Sequence, residues 1–338
     1  MRYERVHLQA IEVLIPPIEV TTASIEEALG PLYRRIGVSG GTLGALTGVA
    51  ARRFWPEGTM LAETATQAAR TLLARHPPPS CGVQALVSTS VGKDFLEPPT
   101  ASLVAGDLGM SADCANFDVA HACLGFMSGM LSVANLIELG QIECGLVVAG
   151  EGSRTVTQAT IERLLRPGVD FRTFAENLAT LTLGSAAVAA LLVHERHSTG
   201  GHQLVGGISR SATRHSRLCL GTQTEMKTEA ATLLREGVEL AHDTFTRARA
   251  ELGWDLGEVR EFCLHQVGKA NHDALITRLG LPVDKVLRLY PELGNVGAAG
   301  VPLTLHTAVS QGRVTSGDAV MLMGIGSGLN CTMLGVRW

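Results

Sequence analysis

Two stretches of this chain decide the fold: Val83 to Lys93, which reads VQALVSTSVGK, and Val259 to Lys269, which reads VREFCLHQVGK. Each is an apolar run typical of a buried strand, and each ends in Val-Gly-Lys. Each follows an amphipathic helical pattern, at Ala65–Ala74 and at Val238–Leu252, and precedes a second helical pattern that closes on Leu-Gly. The same order of elements at a nearly constant offset indicates an internal duplication.

The duplication continues through a second pair of segments. Ala122-Cys-Leu-Gly aligns with Gly294-Asn-Val-Gly, and each opens an apolar helical stretch. Apolar strands follow at Gly145–Ala149 and Ala319–Met323, and each leads into a glycine-rich turn. Strands that alternate with helices predict parallel sheets covered on both faces. Two such halves packed face to face predict an α/β protein with five layers in the order αβαβα.

The boundary between the halves is predicted near residue 200, giving an N-terminal half at 1–200 and a C-terminal half at 201–338. The strands Ala186–Val193 and Leu204–Ser209 are expected to complete the first half. The polar tract from Arg210 to Thr228 is interpreted as a connecting segment.

Composition excludes several classes of protein. Hydrophobic residues make up 46% of the chain and charged residues 18%, which favours a compact fold over disorder. A formal net charge of −4 predicts neither a nucleic-acid partner nor an anionic membrane surface.

Met1 to Pro17 lack the pattern of a signal peptide, and the nearly uncharged stretch Val119–Ile137 suits a buried helix better than a membrane span. Seven cysteines without a CxxC pair predict a reduced, cytoplasmic chain and no metal site.

The duplication predicts where an active site lies. Ligands bind at the carboxyl ends of parallel strands, and the two halves bring Thr89 and His265 there as one pair and Cys123 and Asn295 as another. Cys123 begins the apolar stretch Leu124–Leu139, so we expect the helix dipole to favour the thiolate and to lower its pKa. Taken singly, three of these residues have plainer interpretations: Cys123 as a small core residue, His265 as a core histidine and Asn295 as a turn residue. Their matching positions favour an active site.

Chemistry gives each of these groups a use. His265 and Asn295 can both donate hydrogen bonds to a thioester oxygen that becomes an enolate. The turn Gly324-Ile-Gly-Ser-Gly lacks the helix and the acidic residue of a dinucleotide site. Its backbone instead suits close approach to Cys123, so the amides of Cys123 and Ser327 are candidates for an oxyanion hole.

Two further motifs are weaker candidates. Glu97, in Phe95-Leu-Glu-Pro-Pro, is either a solvated loop carboxylate or a general base. Arg52, Arg53 and Trp55 form either a surface turn or a site for the adenine and phosphates of coenzyme A.

These motifs resemble the ketoacyl-acyl-carrier-protein synthase III group of the thiolase superfamily over the whole chain. The motifs are Ala122-Cys-Leu-Gly, His265-Gln-Val, Gly294-Asn-Val-Gly and Gly324-Ile-Gly-Ser-Gly-Leu-Asn. Within that group, the segment from Asp94 to Ser102 resembles members that join two long-chain fatty acyl-CoA molecules head to head, as the first step of olefin synthesis.

The resemblance implies a five-layered thiolase-like fold and an acyltransferase activity. Cys123 would carry the acyl group, and His265 and Asn295 would bind the second thioester. Glu97 would act as base from the other subunit of a homodimer. Non-decarboxylative Claisen condensation and hydrolysis would then give a 2-alkyl-3-ketoacid, with coenzyme A thioesters as substrates and no cofactor. Enzymes of the olefin pathway, or of a related β-lactone pathway, are possible partners.

Three alternatives stay open at this point. A decarboxylative 3-oxoacyl-[acyl-carrier-protein] synthase III would keep Cys123, His265 and Asn295 and use malonyl-acyl-carrier protein, with no need for Glu97. A thiol hydrolase would use the same three residues and form no carbon–carbon bond. A catalytically silent scaffold subunit would keep only the fold.

Overall fold

The computed structural model describes residues 1–338. The chain forms thirteen strands: β1 Val6–Leu14, β2 Ile18–Thr21, β3 Ala51–Phe54, β4 Ala85–Ser88, β5 Ala115–Asp118, β6 Cys144–Glu151, β7 Ala186–His194, β8 His202–Ser211, β9 Cys219–Gly221, β10 Met226–Thr228, β11 Val259–Leu264, β12 Ala319–Gly326 and β13 Asn330–Arg337. It forms twelve helices: α1 Thr22–Ala28, α2 Gly30–Ile36, α3 Thr42–Thr47, α4 Leu61–Arg75, α5 Thr100–Leu108, α6 Gly125–Glu138, α7 Arg154–Leu165, α8 Phe171–Asn177, α9 Ala230–Leu252, α10 Lys269–Leu279, α11 Tyr290–Leu293 and α12 Gly300–Ser310.

Nine strands form one continuous sheet in the order β11-β12-β13-β8-β1-β7-β6-β4-β5. Outward from the central β1–β8 pair, the two sides have the same plan. β1, β7, β6 and β4 on one side correspond to β8, β13, β12 and β11 on the other. The pairs β4–β6 and β11–β12 are parallel, whereas β6–β7 and β12–β13 are antiparallel. This symmetry is the duplication that the sequence indicates.

Three of the four parts of the hydrophobic core correspond to the layers. The central part contains α6 and α12 between the two halves of the sheet. A second part packs α4 and α5 on the outer face of the first half, and a third packs α9 and α10 on the outer face of the second half. The resulting order of layers is helices, sheet, helices, sheet, helices.

Two expectations about the sheet need correction. The halves are mixed rather than wholly parallel, because β7 and β13 run back against their neighbours. In addition, the strand expected at Leu204–Ser209 does not complete the first half: β8 pairs with β13 along most of its length and with β1 only at two positions. β7 and β13 are buried almost throughout and have no alternating pattern, so the sequence does not show their direction or their partners. We retain the division at residue 200 as a proposal; β7 ends at His194 and β8 begins at His202.

Close packing between α6 and β4 sets the position of the central helix. A Cβ at Gly129 would lie 2.6 Å from the side chain of Thr89 and 2.8 Å from that of Val147. A larger residue would therefore push α6, and the turn before it, away from the sheet. None of the helices has the length and hydropathy needed to cross a lipid bilayer.

Candidate active site

A cavity of about 260 Å³ lies where the two halves meet. Cys123, His265 and Asn295 all line it, together with Ser327. More than half of the 26 lining residues are hydrophobic, and the hairpin β9–β10 and helix α9 close one side. The structure thus brings a thiol from the first half to an imidazole and a carboxamide from the second.

Cys123 lies in a 3-10 turn, Ala122–Leu124, directly before α6. Ala122 has φ of 44° and is the only residue other than glycine with a positive φ, so this turn is sharply bent. Burial, with a smaller contribution from the carboxylate of Glu151, raises the pKa of the Cys123 thiol to about 12. The expected lowering of this pKa by the helix dipole is therefore wrong, because burial outweighs the partial charge of a helix end.

His265 directly follows β11 and is buried. Burial lowers the pKa of its imidazole to about 4, so the ring is neutral near pH 7. Its Nδ1 atom is buried and has no hydrogen-bond partner. A neutral imidazole has one nitrogen that accepts a proton and one that donates, so His265 can accept the thiol proton or donate to a substrate oxygen.

Asn295 is fixed through both its main chain and its side chain. Its N–H donates to the Thr182 carbonyl at 2.9 Å, and its carbonyl accepts from the Gly184 N–H at 2.8 Å. Its side-chain Oδ1 accepts a hydrogen bond from the Gly297 N–H at 3.0 Å. With Oδ1 engaged, the Nδ2 group is the part of Asn295 that can donate to a ligand in the cavity.

The turn that contains Ser327 lies against the nucleophile turn. A Cβ at Gly326 would lie 3.2 Å from the Leu124 nitrogen and 3.4 Å from the Cys123 nitrogen. This separation agrees with the close approach predicted from the glycine-rich sequence. Ser327 itself lines the cavity.

Glu97 lies outside the cavity of its own chain, on a loop at residues 91–99 with an anchored base and an exposed tip. The Asp94 carboxylate accepts hydrogen bonds from the Leu61 and Ala62 amides at 2.8 Å each, and Lys93 pairs with Asp118 at 2.8 Å. At the tip, Leu96 is 86% exposed. The structure of one chain therefore presents Glu97 beside an uncovered apolar side chain.

The three candidates for coenzyme A binding do not line this cavity. Arg52 has no exposed surface; its guanidinium donates to Thr22 Oγ1 at 2.9 Å and to the Leu181 carbonyl at 2.7 Å. Arg53 forms an ion pair with Glu19, and the Trp55 indole N–H donates to the Glu151 carbonyl. Both interpretations of Arg52, as part of a surface turn and as a coenzyme A contact, are wrong, because its side chain has no exposed surface and so contacts no ligand. Successive side chains of the short strand β3 are alternately partly exposed and buried, which explains why arginine and aromatic residues are adjacent in the sequence.

Sequence reasoning missed two residues close to Cys123. Glu151 ends the apolar strand β6 and is buried, and a charged residue inside such a run was the available signal. Cys219, from the hairpin β9–β10, lines the same cavity. It lies in the tract that was interpreted only as a connection, and nothing local distinguishes it.

Away from the cavity, three possible metal ligands lie together. The ligand atoms of Cys81, Glu143 and His197 lie within 4.8 Å of one another, although the sequence shows no such grouping. The Glu143 carboxylate already forms an ion pair with Arg196 and a hydrogen bond with His197. We assign no metal to this group.

Comparison with known proteins identifies the relatives of this chain. The family described as 3-oxoacyl-[acyl-carrier-protein] synthase III, C terminal, matches residues 250–338. The acyl-CoA:acyl-CoA alkyltransferases of Xanthomonas campestris pv. campestris and Shewanella oneidensis are each 39% identical to this chain over the full length of both proteins. The beta-ketoacyl-[acyl-carrier-protein] synthase III of Rhodobacter capsulatus is 26% identical and covers 86% of this chain and 88% of its own.

Solved structures of Xanthomonas campestris OleA have the same fold. One superimposes with a TM-score of 0.97 at 39% identity, covering 100% of this chain and 98% of its own. Another, with a TM-score of 0.95 at 38% identity, holds lauric acid and lauroyl-CoA and covers 99% of this chain and all of its own. These structures include variants at a glutamate, a cysteine and a histidine, in the order and at the separations of Glu97, Cys123 and His265. The predicted thiolase-like fold and the predicted resemblance are thereby confirmed, and the chain belongs to the acyl-CoA:acyl-CoA alkyltransferase (OleA) family of condensing acyltransferases.

Proposed function

We propose that this chain joins two long-chain fatty acyl-CoA molecules by non-decarboxylative Claisen condensation and releases a 2-alkyl-3-ketoacid. The observation that carries the proposal is the mostly apolar cavity in which Cys123 faces His265 and Asn295. Full-length relatives named for acyl-CoA alkyl transfer support the substrate class. The synthase III relatives match less of the chain at lower identity and give less support to a malonyl-acyl-carrier protein donor.

In the first step, the thiol of Cys123 attacks the carbonyl of one acyl-CoA. The neutral imidazole of His265 lines the same cavity and has a nitrogen that can take the thiol proton, although its lowered pKa makes it a weak base. The tetrahedral oxyanion is stabilised by the amides of Cys123 and Ser327, which belong to two turns in contact. Coenzyme A then leaves as its thiol, and Cys123 carries the acyl group.

In the second step, a base removes the α-proton of the second acyl-CoA. His265 and Asn295 donate to the thioester oxygen, which becomes the enolate oxygen. The α-carbon attacks the acyl group on Cys123, a carbon–carbon bond forms, and the cysteine sulfur leaves as a thiolate, which recovers a proton from the protonated base. Because no carboxylate is lost as CO₂, the reaction needs a base to take this proton, and Glu97 is the carboxylate we assign to it.

In the last step, water attacks the thioester of the 3-ketoacyl-CoA and releases the 2-alkyl-3-ketoacid and a second coenzyme A. Every step is an acyl transfer or a proton transfer, so the proposed reaction needs neither a redox cofactor nor a metal. The product suits a next enzyme that leads to an olefin or a β-lactone.

We further propose that Glu97 reaches the cavity of a second copy of the chain. The loop at 91–99 holds Glu97 outside its own cavity, and the exposed Phe95 and Leu96 directly precede it. Burying these side chains against a second copy would remove apolar surface from water and place Glu97 in an apolar site.

The test is incubation of the purified protein with myristoyl-CoA as the only substrate. The expected products are free coenzyme A and a 2-alkyl-3-ketoacid, detected by a thiol reagent and by mass spectrometry. A strict requirement for malonyl-acyl-carrier protein would support the decarboxylative alternative, and myristic acid alone would support a hydrolase. A protein that is never acylated would be the scaffold subunit.

A further inference from the structure

Glu151 differs from the other buried carboxylates of this chain. Three carboxylate residues are buried: Glu12, Glu151 and Glu261. Glu12 pairs with Arg75 at 2.8 Å and Glu261 with Arg313 at 2.8 Å, whereas no ion pair includes Glu151. A buried carboxylate without a cation is costly for the fold, so its surroundings must hold it by other means.

Backbone amides take the place of a cation. Oε1 of Glu151 accepts hydrogen bonds from the N–H of Val91 at 3.0 Å and from the N–H of Ala298 at 3.2 Å. The carboxyl group also packs against Gly297, where an added Cβ would lie 3.0 Å from the Glu151 Cδ atom. One oxygen atom therefore joins a segment of the first half to a segment of the second half.

Both segments lead to residues of the proposed reaction. Ala298 belongs to the turn Gly297–Ala299, and the N–H of Gly297 donates to the Asn295 side chain at 3.0 Å. Val91 begins the loop whose tip carries Glu97. The two hydrogen bonds to Glu151 thus fix the segment that orients Asn295 and the base of the Glu97 loop relative to each other.

We propose that Glu151 is a positioning residue for the condensation step: one of its oxygens holds both the turn that orients Asn295 in its own cavity and the base of the loop that carries Glu97 to the cavity of the second copy. This inference rests on the proposed function, because it assigns Glu151 to a step of that reaction. Acylation of Cys123 does not require Asn295 or Glu97 in that reaction. Removal of the carboxylate should therefore slow condensation more than acylation, whereas a general loss of structure would slow both.

The experiment compares Glu151→Ala, Glu151→Gln and the matched control Glu12→Ala with the unchanged protein. Single-turnover acylation by myristoyl-CoA is measured by intact-protein mass spectrometry, and ketoacid formation is measured under multiple turnover. Thermal unfolding of each variant reports the loss of stability. Glu12→Ala also removes a buried carboxylate, but Glu12 lies on β1 and does not line the cavity.

The expected result is a split between the two steps. In Glu151→Ala, acylation stays within about threefold of the unchanged protein and ketoacid formation falls about 100-fold, the size expected when a reacting group is misplaced by about 1 Å. Glu151→Gln keeps an oxygen that accepts both amide bonds and should restore condensation to within about threefold. Glu12→Ala should keep the ratio of the two rates.

Three results would overturn the proposal. One is equal loss of both steps in Glu151→Ala, which would make Glu151 structural only. Another is unchanged condensation in Glu151→Ala, and a third is failure of glutamine to restore it. If the unchanged protein makes no ketoacid from myristoyl-CoA, the proposed function itself fails, and the role of Glu151 in condensation fails with it.

Discussion

Replacing Glu151 by glutamine is expected to change how the stability of the fold depends on pH. Burial raises the pKa of Glu151 from 4.5 to about 7, although the amides of Val91, Ala298 and Gly92 oppose this shift. The folded chain therefore binds the proton more tightly than the unfolded chain. This contribution to stability is fully present below the unfolded pKa of 4.5 and is lost as pH rises through the folded pKa of about 7. Glutamine does not titrate and lacks this dependence.

The size of the effect follows from the shift. The rise in the pKa of Glu151 from 4.5 to about 7 corresponds to about 3 kcal/mol in the free energy of unfolding, most of which is lost between about pH 5 and about pH 8. Relative to Glu151→Gln, the unchanged protein should therefore become less stable by roughly 2 to 3 kcal/mol over that interval. The other titrating groups are common to both proteins and cancel in the comparison.

Urea unfolding at several pH values measures this difference directly. Both proteins are kept at one concentration, since a dimer unfolds at a midpoint that depends on concentration. The reasoning is refuted if the difference in the free energy of unfolding is independent of pH, or if the unchanged protein gains stability relative to the variant as pH rises. Either result would mean that the Glu151 carboxylate is not disfavoured by burial.

The remaining predictions concern the site and its surroundings. Cys123→Ala should show no acyl adduct by intact mass after exposure to myristoyl-CoA; an adduct would reveal another nucleophile. Glu97→Ala should accumulate acyl-enzyme without ketoacid. When it is mixed in equal amounts with Cys123→Ala and the subunits exchange, about half of the dimers are hybrids, and each hybrid has one complete site out of two. The mixture should therefore regain about a quarter of full activity. No regained activity would place the base within its own chain. Leu96→Asp should shift the mass measured by light scattering from dimer to monomer, and an unchanged mass would exclude this loop from the interface. Arg52→Met should lower the free energy of unfolding, measured in urea, by about 2 kcal/mol, because the Leu181 carbonyl loses its buried hydrogen-bond donor. The KM for acyl-CoA should stay unchanged. A raised KM at unchanged stability would restore the coenzyme A interpretation.

The repeated segments predict much of the architecture because the repeat is a property of chain order. The strands that begin at Ala85 and Val259 are present, and the helical patterns predicted to follow them and to close on Leu-Gly are the helices α5 and α10. Strand direction, in contrast, cannot be predicted from the repeat. β7 is buried along nearly its whole length, so its sequence records burial on both faces and not which neighbour it pairs with.

The cavity shows the same division between local and long-range information. Equivalent positions in the two halves led to Cys123, His265 and Asn295, and the structure places all three in one cavity. The pKa of the Cys123 thiol was expected to fall because a helix start is visible in the sequence, whereas the depth of burial that raises it depends on the packed second half. Arg52 failed as a ligand contact for a related reason: its buried partner, the Leu181 carbonyl, lies far away in the chain.

The central position of β1 has a consequence for the order in which the chain can fold. β1 pairs with β7 from Val6↔His194 to Leu14↔Ala187, and it meets β8 at His7 and Leu8. During synthesis β1 therefore lacks its partner strand, with its apolar side chains and backbone groups uncovered, until the residues up to His194 have left the ribosome. Such long-range pairing slows folding and exposes a strand that can join other chains. A chaperone that shields β1 before β7 is synthesised should raise the yield of folded enzyme more than one that acts after release.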